Sequence, residues 1–147
     1  MTGPALSSPQ RSGARARSAG RKRAWAWWAL DAGLVVVFAA TGRASHDEST
    51  GLAGVAATVW PFLAGMSLGW AVVAVLRRRP ATSVRDGAWV WLATVAGGMA
   101  LRAASGAGVA LSFVLVALAV TGVLLLGWRL LAALAARRSG PATPAYR

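Results

Sequence analysis

The chain has no cysteine, which excludes disulfides, thiolate metal sites and cysteine nucleophiles. It is also short of charge: 14% of its residues are Asp, Glu, Lys or Arg, against about 25% in an ordinary soluble domain. It carries a single histidine, and of its sixteen basic residues only Lys22 is lysine. With one imidazole and no thiolate, no transition-metal site is expected. Gly106-Ala107-Gly108 is a tight turn and not a phosphate loop, because the Lys and Ser/Thr that would follow are missing. No cofactor is expected. Apolar residues take the place of charge, at 56% of the chain with a mean hydropathy of +0.54. Lipid is therefore the expected solvent. A net charge of +12 would suit nucleic acid, yet the charges flank apolar runs instead of lining an amphipathic face. Nucleic acid is not an expected partner.

Four apolar runs follow one another. Ala24 to Gly42 is nineteen residues, bounded by Arg21-Lys22-Arg23 and Arg43. At about 1.5 Å per residue it nearly covers a hydrocarbon core of roughly 30 Å. Leu52 to Leu76 ends at Arg77-Arg78-Arg79-Pro80, and Val109 to Trp128 continues to Ala136 before Arg137-Arg138. The third run, Ala88 to Leu101, is the shortest, and reaches a span only with its flanks (Gly87 to Ser105). Arg102 is tolerable there because its long stem can bend toward the headgroups. The expected fold is all-α: an integral membrane four-helix bundle, up-down-up-down, with spans 24–42, 52–76, 87–105 and 109–128, the last extending to 136. Short basic segments, 1–23 and 137–147, flank the membrane domain of 24–136.

Direction comes from the arginines. The N-terminal tail, the second loop and the C-terminal end hold fourteen basic residues, against Arg43 and Arg102 in the other two loops. This asymmetry places both termini in the cytoplasm of a multi-pass inner-membrane protein. Trp25, Trp27, Trp28, Trp89, Trp91 and Trp128 fall at the inner helix ends, where an indole suits the interface. Residues 1–23 are Ser, Gly, Pro, Ala and Arg without apolar periodicity, and read as a disordered tail. The favoured role of that tail is a topology signal; the alternative is a clamp on anionic lipid headgroups. A cleaved signal peptide is disfavoured by Asp31 and by the further spans downstream.

Gly54, Thr58, Pro61, Gly65 and Gly69 recur at spacings of four, three, four and four. They put small residues and a proline on one face of the second span, with Gly97 on a similar stripe of the third. In lipid, helices associate through close backbone approach, so these two helices are expected to pack together. Pro61 removes a backbone donor and is expected to kink its helix.

Asp31 is the ionisable group inside the first span. The functional reading is a proton or cation site. The structural reading is an anchor, paired with Arg129 at the inner end of the fourth helix or accepting an indole N–H. The structural reading is preferred. A second cluster lies outside: Arg43, Ser45, His46, Asp47 and Glu48, with Arg102 across the third loop. Three nearly consecutive ligands converge poorly on a metal. Arg102 pairing with Asp47 or Glu48 is the expected arrangement. Nothing supplies a nucleophile turn or oxyanion hole, so no catalytic residue is expected.

The first-span aspartate followed by VVVFAATGR (Val35 to Arg43), Ser45-His46, WPFLAGMSLGW (Trp60 to Trp70), the Trp91 to Arg102 segment and Gly127-Trp128-Arg129 together resemble the Domain of Unknown Function 3054 family. The resemblance covers about Leu30 to Arg129 and implies a small four-helix bacterial membrane protein; it implies no activity, ligand or catalytic residue. The expected role is non-enzymatic: helix contacts, as an assembly or envelope-associated factor. The alternative is a proton- or cation-coupled transporter or channel using Asp31, which would be a homo-oligomer because four helices seldom enclose a path alone. Reporter domains fused after Glu48 and after Ser105 are expected outside the cytoplasm, and protease protection of the fusions checks this.

Overall fold

The structure, a computed structural model, describes residues 10–44 and 51–138, with side chains from residue 19 onward. It is built from four α-helices: α1 (Gln10–Ala44), α2 (Leu52–Arg77), α3 (Val84–Ala104) and α4 (Leu111–Arg138). Among the described residues α1 packs on α2 and α4, and α3 packs on α2 and α4, so the helices form a closed ring, and long side chains of α2 and α4 meet across its middle. The end where α1 and α3 enter and α2 and α4 leave is here termed proximal, the other distal.

Three helical segments are long and apolar enough to cross a membrane: Ala19–Ala44, Leu52–Arg77 and Leu111–Arg138. The expected third span is not among them. α3 has glycines, two tryptophans near its start (Trp89 and Trp91), and Arg85, Asp86 and Arg102 toward its ends, which lower its mean hydropathy. The chain is a multi-pass membrane protein on the strength of the other three. α1 begins at Gln10, inside the segment expected to be disordered. Ala and Arg are good helix formers, and adding residues to a helix already nucleated by an apolar span is far easier than starting one.

The core changes character along its length. Toward the distal end, Phe38, Phe62 and Phe113 meet from α1, α2 and α4, with ring centroids 5.5–6.4 Å apart. Deeper lie Val35, Met66, Val90, Thr94, Ala117 and Leu125, all essentially without solvent exposure. Thr94 donates its hydroxyl to the Val90 carbonyl at 2.7 Å, and Thr121 does likewise to Ala117, so buried hydroxyls leave no unmade bond. At the proximal end the core is charged: Asp31 and Arg129 are fully buried. The outward faces of α2 and α4, in contrast, carry exposed Val75, Leu76, Leu111, Val123 and Leu131. Lipid tolerates such a surface; water does not.

The close pairing of the second and third helices is present. A Cβ added at Gly65 would sit 2.7 Å from the Ala93 carbonyl oxygen and 3.1 Å from the Gly98 amide nitrogen. At Gly69 it would meet the Ala93 side chain at 2.9 Å, and at Gly97 the Gly65 Cα at 3.0 Å. Phe62 lies against Gly98 so closely that a Cβ there would stand 2.5 Å from the ring. The small-residue stripe on α2 is not one interface, however. Its distal part turns to α1: Thr58 donates to the Gly54 carbonyl at 3.1 Å and accepts from Arg43 Nη1 at 3.0 Å. Pro61 is buried inside α2, and the helix runs through it from Leu52 to Arg77.

Gly65→Ala is expected to cost about 1–3 kcal/mol, the usual penalty of overpacking, because the obstacle is backbone and cannot move aside. Gly127→Ala, with nothing within 4 Å of the added carbon, is expected to be neutral or stabilising. Thermal unfolding in detergent checks both.

Candidate functional site

Asp31 faces inward from α1, and α4 presents Trp128 and Arg129 to it side by side. Arg129 Nη1 donates to Asp31 Oδ1 at 2.9 Å and Nη2 donates to Oδ2 at 2.7 Å, a two-pronged pair. Two indoles complete the carboxylate. Trp128 Nε1 donates to Oδ1 and Trp70 Nε1, from α2, donates to Oδ2, both at 2.8 Å. Each oxygen of Asp31 thus accepts two hydrogen bonds, which uses all four of its lone-pair positions.

The guanidinium is equally occupied. Beyond its two bonds to Asp31, Nη1 donates to the Leu125 carbonyl at 2.6 Å. Nε and Nη2 both donate to the Ala81 carbonyl, at 3.2 and 2.9 Å. All five N–H groups of Arg129 are used. Its carbon lies 4.4 Å from the Trp128 ring centroid and 5.9 Å from that of Trp70, so the charge also rests on aromatic faces. Trp27 in turn stacks on Trp128, 4.8 Å between ring centroids with planes 7° apart. α3 contributes space: a Cβ at Gly87 would fall 2.4 Å from Arg129 Cδ. Every helix and the α2–α3 loop therefore touch one ion pair. With no lone pair and no N–H left over, the pair offers neither a proton acceptor nor a donor to a ligand. A cleft of about 540 Å³ adjoins it, lined among others by Arg23, Trp27, Thr82, Ser83 and Trp128.

A second carboxylate is buried at the same end. Asp86, at 0% exposure, stands in the first turn of α3. Ser83 caps that helix: its hydroxyl accepts from the Asp86 amide at 3.1 Å and donates to Asp86 Oδ2 at 2.7 Å. Arg79 reaches Oδ2 at 3.0 Å and Arg77 approaches Oδ1 at 3.9 Å. A negative charge at a helix N-terminus also suits the helix dipole. Asp86 binds the α2–α3 loop to the start of α3.

The structure brings Asp31 and Arg129 together, and supplies both expected alternatives at once, the arginine and the indoles. Trp128 and Trp91 are not interfacial anchors alone. Trp128 bonds Asp31, and Trp91 Nε1 donates to the Leu118 carbonyl at 3.1 Å, joining α3 to α4. Arg102 donates to the Gly108 carbonyl at 3.2 Å and lies 4.6 Å over the Phe113 ring. Ser45, His46, Asp47 and Glu48 lie outside the described residues, as does any contact they make. Sequence reasoning missed Trp70, the Ala81 carbonyl, Gly87 and Asp86. Only Asp86 carried a local signal, the Ser83-x-x-Asp86 spacing before an apolar run.

Removing one member of a buried ion pair strands the other, which costs about 3–5 kcal/mol. Asp31→Ala and Arg129→Ala are each expected to lose about that much, and the double variant no more than the worse single one. Denaturant unfolding in detergent measures the cycle; additive losses would show that the two side chains do not meet.

Neither the curated proteins nor the solved structures contain a match to this chain. A family profile does match it, over residues 28–132, which takes in Asp31, Trp70, Asp86 and Arg129. The chain belongs to the family described as Protein of unknown function (DUF3054).

Proposed function

We propose that the protein is a non-enzymatic component of the cytoplasmic membrane, acting through helix contacts as an assembly or envelope-associated factor. The observation that carries this reading is the saturation of Asp31. A coupling carboxylate must exchange a proton or cation during a cycle, and this one has four donors fixed on its two oxygens. Releasing it would mean stranding a buried guanidinium, the buried Trp70 indole and the half-buried Trp128 indole together.

In this reading α3 crosses the bilayer with the three longer helices. Its 21 residues reach about 31 Å at 1.5 Å each, enough for the hydrocarbon core. Its charges sit at Arg85, Asp86 and Arg102, near the two ends. The proximal end faces the cytoplasm, and both termini with it, because the basic residues gather there. The basic N-terminal segment acts as a topology signal, with a clamp on anionic headgroups as the alternative. The exposed apolar faces of α2 and α4 leave room for a second copy or another membrane protein.

The test is a paired measurement on reconstituted wild-type protein and Asp31→Asn. The expected result is a less stable variant and no proton- or cation-coupled flux from either protein. Coupled flux in the wild type, lost in a variant of unchanged stability, would overturn the proposal in favour of a transporter.

A further inference from the structure

A shallow groove of about 530 Å³ runs along the outer side of the α2–α3 hairpin. It is lined by apolar residues of the two helices, Val72 and Leu76 from α2 and Leu92 from α3, with the small residues Gly69 and Ala96 among them. The groove exists because the two helices pack through small residues, so that the larger neighbours stand up as ridges on either side. Its proximal mouth is different. Arg77 lines it, 36% exposed, beside Trp89, which is 58% exposed. Arg78 and Arg85 are exposed in the adjoining loop and first turn. Of the charges in this loop and turn, four are arginine and one is Asp86.

We infer that this groove is a binding site for one anionic phospholipid. An acyl chain lies between the ridges and the headgroup phosphate meets Arg77, with the Trp89 indole at the level of the glycerol backbone. The apolar length ending in a cationic, indole-flanked mouth matches the order of parts in a phospholipid. A second helix laid in the groove would also cover the apolar part, but would leave unmet the surplus positive charge at the mouth, where Asp86 is the single acid beside four arginines. The inference rests on α2 and α3 both lying in the bilayer, as proposed above.

Spin-labelled phosphatidylglycerol and phosphatidylcholine, added to the full chain reconstituted in phosphatidylcholine vesicles, separate the possibilities by the fraction of motionally restricted lipid. The wild type is expected to prefer phosphatidylglycerol about fivefold, near the effect of one basic side chain at an anionic headgroup. Arg77→Gln is expected to bring that preference close to one. Ala96→Leu, a change at an exposed helical position that lines the groove and would narrow it, is expected to remove a restricted lipid of either class while leaving thermal stability unchanged. Equal retention of the two lipids by the wild type, or an Ala96→Leu variant that keeps its restricted lipid, would overturn the site. So would a restricted-lipid count that Ala96→Leu raises by breaking a dimer, since a second copy would then be the occupant. Absence of restricted lipid of either class would instead overturn the membrane placement of the hairpin itself.

Discussion

A carboxylate and a guanidinium taken out of water must each find a full set of partners, and the bundle is arranged around that requirement. Asp31 needs four donors and Arg129 needs five acceptors. No single helix can supply these, since side chains on one helix reach only neighbouring turns. The donors and acceptors come instead from α1, α2, α4 and the Ala81 carbonyl of the loop between α2 and α3. α3 enters by absence, with Gly87 leaving the volume that the arginine stem occupies. Satisfying one charge pair therefore fixes the relative position of all four helices at the proximal end.

The remainder of the bundle is held differently. In lipid the hydrophobic effect gives helices no reason to prefer one another over acyl chains, so close packing and hydrogen bonds must do it. The α2–α3 contact uses close approach through Gly65, Gly69 and Gly97. The distal end uses three phenylalanine rings and an arginine laid over one of them. Ion pair, glycine seam and aromatic cluster act at different depths, and α2 is the helix that takes part in all three.

Asp86 is held less completely: its buried Oδ1 accepts no hydrogen bond and has Arg77 beside it at 3.9 Å. Its carboxylate is held by the Ser83 cap, Arg79 and the start of its own helix. It fastens the loop whose Ala81 carbonyl takes two of the five arginine N–H groups. The two buried acids are thus coupled through one short loop: Asp86 sets where Ala81 stands, and Ala81 completes Arg129.

By itself the sequence determined the class of solvent, the number of helices, the candidate pair Asp31 and Arg129, and the glycine seam between α2 and α3. These follow from hydropathy, run length and spacing, which are properties of neighbours along the chain. Local pattern also misled: α1 continues back to Gln10 through a polar stretch with no apolar periodicity, because helix propagation needs no amphipathic face. The tertiary structure alone decided which partners complete the pair. Trp70 lies 39 residues from Asp31, and Trp128 lies 97. Nothing in their local sequence distinguishes an indole that bonds a carboxylate from one that lies in the interface. That distinction is a matter of which faces meet when helices distant in sequence close into a ring, and the bond inventory of one buried charge pair is what selects it.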